Sequence, residues 1–161
     1  KLIKTELNLL KKVGAKIKLF KNSINVKGPE RLKSIKNITT KEYPGFPTDL
    51  APQIMALLCK ANGISSIKEN IFQGRFLHAM ELSRLGAKIT IKNRTAKIDG
   101  NTNFIAAEVM SSDLRASAAL VLAGIVSKGN TIVTRIYHCD RGYENFENKL
   151  KKIGVKIKRL K

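Results

Sequence analysis

A chain of 161 residues that is 43% hydrophobic can bury one sizeable core, and its length favours one domain over two. The net charge of +19, from 31 Lys+Arg against 12 Asp+Glu, raises nucleic acid as a partner, but the lysines are scattered and lack the interleaved aromatics of a single-strand groove. Cys59 and Cys139 fit neither a metal-ligand pattern nor a small secreted disulfide framework, and the longest apolar run, Ala116 to Val126, falls short of the roughly 18 to 20 residues of a membrane helix.

A reducing, cytosolic compartment is expected from that cysteine usage, with no membrane span. In chain order, Ile3, Leu7, Leu10 and Val13 recur at helical spacing, Gly14 stops the helix, and Ala15 to Leu19 alternates like a strand. A turn at Lys21 to Ser23 leads to a second strand, Ile24 to Lys27, and Gly28-Pro29 closes the unit. Lys33 to Thr40 is expected to be extended. It runs into Tyr43-Pro44-Gly45-Phe46-Pro47, a rigid turn that delivers Thr48-Asp49-Leu50 to the start of an apolar helix.

That helix is expected to turn Ile54, Leu57, Leu58 and Cys59 inward, to tolerate Pro52 in its first turn and to end at Asn62-Gly63. A strand from Ser65 to Phe72 follows, then a loop with Gly74-Arg75, then a helix through Met80, Leu82 and Leu85 that stops at Gly86. Ala87 to Ile91 and Ala96 to Gly100 repeat the strand, turn and strand seen after Gly14. A short strand near Glu108 to Met110 precedes a helix opened by Asp113-Leu114-Arg115 and running to about Val126. The strand Thr131 to Tyr137, a loop His138 to Gly142, a helix through Phe146 and Leu150, and a strand Val155 to Lys158 complete the chain.

The segments around Gly14, Gly86 and Gly154 share one pattern, a leucine four residues before the glycine and a Lys-Ile pair after it, at a period of about 70 residues. A period that long implies whole α/β units, so the expected class is α/β, with sheets covered by helices. The first unit lacks its front half. Together with a first residue that is not methionine, this makes the chain an expected piece of a longer protein.

Chemistry-bearing residues fall at matching places in the two complete units. Asp49 and Asp113 each open a helix, and Arg75 and Arg141 each follow an Ile-aromatic pair. An aspartate at a helix start is commonly a cap, and loop arginines are commonly solvated. Arg115 differs: a cation in the first turn of an apolar helix is disfavoured by the helix dipole and needs a compensating anion. His78 and His138 are read as structural, and the His138-Cys139-Asp140 run lacks metal-site spacing.

Phe46-Pro47-Thr48-Asp49, Gly74-Arg75-Phe76, Glu81 to Ala87, Asp113-Leu114-Arg115-Ala116-Ser117 and Asp140-Arg141-Gly142-Tyr143 together resemble the C-terminal part of the UDP-N-acetylglucosamine enolpyruvyl transferase family. The resemblance covers nearly the whole chain and is strongest from Tyr43 to Lys152. It implies an inside-out α/β barrel built from repeated units, here an incomplete first repeat over 1–40, a second over 41–105 and a third over 106–161. A partner domain upstream, absent here, is implied to carry the family's reactive cysteine, a role that neither Cys59 nor Cys139 inherits.

The implied activity moves the enolpyruvyl group of phosphoenolpyruvate to the 3-hydroxyl of UDP-N-acetylglucosamine, the first committed step of peptidoglycan synthesis, with no cofactor and no metal. Asp49 matches the proposed general base and Ile71 a backbone contact to the UDP-sugar. Arg115 and Arg141 match arginines around phosphoenolpyruvate, while Arg75 and Asp113 match polar residues of the same cleft. The types suit the chemistry: a carboxylate takes the hydroxyl proton and cations stabilise the departing phosphate. Two alternatives stay open, the related transferase acting on shikimate 3-phosphate and, of another class, a basic nucleic-acid-binding module. The isolated chain is expected to have no turnover, since half the cleft would be missing.

Overall fold

The computed structural model describes residues 3–160. Helix α1 (Lys4–Lys12) ends at Gly14 and is followed by the antiparallel hairpin of β1 (Lys16–Leu19) and β2 (Ile24–Lys27). Strand β3 (Ile38–Thr39), a 3-10 turn (Thr48–Leu50), α2 (Ala51–Cys59) and β4 (Ile64–Lys68) come next, and β3 pairs parallel with β4. After α3 (Leu77–Arg84), the hairpin of β5 (Lys88–Lys92) and β6 (Thr95–Asp99) joins them in a four-stranded sheet of order β3-β4-β6-β5. The last unit holds β7 (Glu108–Met110), α4 (Leu114–Ile125), β8 (Ile132–Thr134), α5 (Tyr137–Asp140) and α6 (Phe146–Lys152), with β7 parallel to β8.

The crossovers β3-α2-β4 and β7-α4-β8 are the same device. A parallel pair needs a long connection, and the helix supplies it. Because Met55, Leu58 and Cys59 of α2 and Ala119 and Leu120 of α4 are fully buried, the two helices occupy the interior while the sheets lie outside. Burial of each large apolar side chain there contributes about 1.5–3 kcal/mol. None of the helices in the described residues is long and apolar enough to cross a membrane.

The recurring glycine has a physical explanation. Gly14, Gly86 and Gly154 have φ of 107°, 95° and 91°, a region costly for any residue with a Cβ. At each, the glycine N–H reaches the carbonyl three residues back (Lys11, Ser83, Lys151) and the next N–H reaches the carbonyl five back (Leu10, Leu82, Leu150). This pair of bonds closes the helix and launches the following extended segment.

Five expectations need correction. The strand expected over Ser65 to Phe72 ends at Lys68, because the N–H groups of Ile71 and Phe72 turn back onto the Glu69 carboxylate. The strand expected to Tyr137 ends at Thr134: Arg135 takes a left-handed φ of 53°, and the expected loop begins instead with helix α5. Val155 to Lys158 alternates apolar and charged residues but pairs with no strand among the described residues. Within α2, Met55 and Ala56 are buried with Leu58 and Cys59, whereas Ile54 and Leu57 are only half-buried. Of the extended segment Lys33 to Thr40, only Ile38–Thr39 is a strand, with single bridges at Lys33 and Thr40.

Candidate active site

The two helix starts converge. Pro47 is extended, at φ −72° and ψ 138°, and feeds the turn that presents Asp49, while Pro52 lies in the first turn of α2, where it costs no hydrogen bond. Asp49 caps neither the turn nor α2. Its Oδ1 instead accepts from Arg115 Nε at 2.5 Å and from Arg75 Nη1 at 3.2 Å. The carboxylate is 62% exposed, against 21% for Arg115 and 27% for Arg75, so the site opens to solvent on the aspartate's side.

Asp113 is a true N-cap. Its Oδ1 accepts from the backbone N–H groups of Arg115 (2.8 Å) and Ala116 (3.1 Å) and also lies 3.8 Å from Arg115 Nη1. The anion that Arg115 needs in the first turn of α4 is thus supplied by two carboxylates, one local and one from the preceding unit. Arg75 is held from two sides: its guanidinium lies 3.9 Å from the centroid of the Phe72 ring, and its Nη1 donates to Thr48 Oγ1 at 3.1 Å.

Ile71 sits on the turn after β4, with its N–H donated to Glu69 Oε1 at 2.8 Å. Arg141 follows α5, is exposed, and forms no ion pair among the described residues. Its loop is nevertheless seated on both helix starts. Gly142 packs so closely on Leu114 that an added Cβ would stand 3.1 Å from Leu114 Cδ1, and Tyr143 Oη accepts from Gln53 Nε2 at 2.8 Å. The structure therefore joins Asp49, Arg75, Asp113 and Arg115 in one network, sets Ile71 beside it through Glu69, and leaves the Arg141 side chain unattached.

The histidines stay outside this network. His78 is buried near Phe76, and burial pulls its pKa down to about 4 against a smaller upward pull from the Asp113 charge. His138 is stacked at a tilt on Tyr137. Both thiols are buried and free, with Cys59 pushed up to about 12 by burial and Cys139 to about 11 by burial and neighbouring Asp140. No cluster of metal-ligating side chains occurs among the described residues.

One residue of this region escaped the sequence reading. Glu69, 2% exposed, accepts hydrogen bonds from Thr40, Thr48 and the N–H groups of Ile71 and Phe72. Burial alone would raise its pKa, but these four donors outweigh that effect and leave it below the ordinary value. The available signal was an acidic residue directly after a strand, a position that polar turn residues also fill.

Comparison with known proteins bears on the family and the fold. The profile of the family described as EPSP synthase (3-phosphoshikimate 1-carboxyvinyltransferase) matches residues 2–150. The chain is 58% identical over 160 residues to the UDP-N-acetylglucosamine 1-carboxyvinyltransferase of Pelagibacter ubique, covering 99% of this chain and 38% of that protein. It is 51% identical over 156 residues to the enzyme of the same name from Endomicrobium trichonymphae, covering 97% and 37%. The chain thus spans little more than a third of the length of these relatives. Among solved structures, the enolpyruvyl transferase NikO from Streptomyces tendae superimposes with a TM-score of 0.87 at 26% identity, covering 96% of this chain and 36% of that one. EPSP synthase from Acinetobacter baumannii, at 17% identity and a TM-score of 0.72 over 97% of this chain and 36% of its own, shares the α/β fold. With a profile match over nearly its whole length and a shared fold, the chain belongs to the EPSP synthase family of carboxyvinyltransferases.

Proposed function

We propose that this chain forms one wall of the active site of an enzyme that transfers the enolpyruvyl group of phosphoenolpyruvate to the 3-hydroxyl of UDP-N-acetylglucosamine. The observation that carries the reading is the Asp49 carboxylate held between Arg75 of its own unit and Arg115 of the next. The name borne by the relatives at 58% and 51% identity supports the sugar nucleotide over shikimate 3-phosphate as acceptor.

In this reading Asp49 takes the proton of the 3-hydroxyl as its oxygen bonds to the vinyl carbon. The π pair of the double bond takes a proton at C3 of phosphoenolpyruvate as the new bond forms. Loss of a C3 proton then restores the double bond as the bond from C2 to the phosphate oxygen breaks, and the released phosphate carries away the proton held by Asp49. Arg115 and Arg141 stabilise the carboxylate and phosphate charges of phosphoenolpyruvate. Arg75 fixes the orientation of Asp49, Asp113 holds the first turn of α4, and Ile71, its N–H already engaged, meets the UDP-sugar through its carbonyl. The remaining wall belongs to sequence outside these 161 residues, and the reaction serves peptidoglycan synthesis in the cytoplasm.

The test uses the full-length protein that contains this chain. Phosphate release from phosphoenolpyruvate is expected with UDP-N-acetylglucosamine and not with shikimate 3-phosphate, and Asp49→Asn lowers kcat by about 10²–10⁴. Release with shikimate 3-phosphate alone, or an unimpaired Asp49→Asn variant, refutes the proposal. The isolated 161-residue chain gives no turnover.

A further inference from the structure

The carboxylate of Glu69 uses both oxygens on segments that carry site residues. Oε1 accepts from Thr40 Oγ1 (2.8 Å), Ile71 N (2.8 Å) and Phe72 N (3.0 Å), and Oε2 accepts from Thr48 Oγ1 (2.7 Å). Thr48 directly precedes Asp49, and the 71–72 turn leads to Arg75, whose guanidinium lies over the Phe72 ring. The Glu69 backbone is pinned in turn by Arg94, which accepts from its N–H and donates through Nε to its carbonyl, both at 2.8 Å.

The direction of these bonds matters. Because Glu69 can only accept, the Thr48 hydroxyl must donate to it, which turns a Thr48 lone pair toward Arg75 Nη1 at 3.1 Å. The same Nη1 reaches Asp49 Oδ1 at 3.2 Å. A buried anion thus sets the hydrogen-bond polarity of the path Thr48, Arg75, Asp49 while touching neither Arg75 nor Asp49.

We propose that Glu69 is a positioning residue for the reaction: through Thr48 and the 71–72 turn it fixes the Arg75 guanidinium, and hence the Asp49 carboxylate, in reactive geometry. This rests on the enolpyruvyl-transfer reading. Glu69→Gln keeps the volume and the acceptor at Oε1 but places an NH2 group where Oε2 stood. The Thr48 hydroxyl then receives a bond where it gave one, its proton loses its acceptor, and the amide competes with Arg75 for its lone pairs. Glu69→Asp keeps the charge and restores the polarity through a shorter arm.

The experiment measures phosphate release by the full-length protein as wild type, Glu69→Gln, Glu69→Asp and Ile98→Val, the last a core change in β6 that serves as a stability-matched control. In parallel, the Arg75 guanidinium N–H signals are followed by NMR without substrates. Glu69→Gln is expected to lower kcat about a hundredfold, the scale of a small misplacement, with each KM within about threefold of wild type. Glu69→Asp recovers part of the rate, Ile98→Val keeps kcat, and the Arg75 signals broaden in Glu69→Gln alone. A Glu69→Gln rate within about twofold of wild type, or a loss shared by Ile98→Val at the same melting shift, overturns the proposal. If wild type releases no phosphate with UDP-N-acetylglucosamine, the function reading fails separately. The Arg75 signals then decide: broadening in Glu69→Gln sustains the positioning role, and unchanged signals end it.

Discussion

Arg115 Nε stands 2.5 Å from Asp49 Oδ1 across 66 residues of sequence. The contact ties the start of α4 to the turn before α2, so the two β-α-β crossovers meet through a charge pair as well as through apolar packing. With Asp49 62% exposed, solvent screens most of the attraction, and what the pair chiefly supplies is orientation.

Arg115→Met should accordingly separate stability from activity. Loss of a partly exposed ion pair is expected to change unfolding free energy by no more than about 1 kcal/mol. If Arg115 meets phosphoenolpyruvate as proposed, its loss should lower kcat by about 10²–10³ in the full-length protein. Urea titration and phosphate release on the same preparation check both.

Asp113→Ala acts on the helix itself. Two backbone N–H groups lose their acceptor, at a cost of about 0.5–2 kcal/mol. The denaturation midpoint should fall with an unchanged slope, and Asp113→Asn should recover most of the loss, because an amide oxygen can still accept.

His78 sets a pH dependence. Its pKa is near 4 in the folded chain and about 6.5 when unfolded, so between these values the unfolded state binds the extra proton. The sign follows: the stability is fully present above the unfolded value and is lost as pH falls toward the folded one. Linkage gives a loss of about 2 kcal/mol from about pH 7 to about pH 5. Glu69, with its pKa held below the usual carboxylate value, loses its contribution only at lower pH. Stability curves of wild type and His78→Phe should therefore diverge in slope within that window, the variant being the flatter.

The thiols give a simple accessibility test. With Cys59 raised to about 12 and Cys139 to about 11, almost no thiolate exists near neutral pH. Alkylation of the folded chain at about pH 8 should be slow at both, and both should react promptly in denaturant. Rapid native labelling of either would refute the burial described above.

How much of this could be read from residue order depends on the range of the forces involved. The glycine-terminated helices were legible because the left-handed φ at Gly14, Gly86 and Gly154 and the alternation that follows are local properties. The end of β4 was not: Ile71 and Phe72 favour strand, and the turn exists because Glu69 gathers Thr40 and Thr48 from 29 and 21 residues away. Arg135 carries none of the side-chain features that mark a left-handed residue, so the start of α5 was hidden. Val155 to Lys158 has the pattern of β1, but pairing requires a neighbour that pattern alone does not supply. For the site, the helix starts bearing Asp49 and Asp113 were visible, while which aspartate caps and which pairs with arginine was decided in three dimensions.

The hairpin β1-β2 differs from β5-β6 in standing alone, with neither outer edge joined to a further strand among the described residues. Ile17 faces Val26 and Leu19 faces Ile24, while Lys16 faces Lys27 and Lys18 faces Asn25. Such a ribbon, with Leu19, Phe20, Ile24 and Val26 exposed, is a template for self-association into stacked ribbons. The lysines oppose such docking: a second ribbon laid along the edge would crowd ammonium groups together, as charged residues on exposed strand edges do.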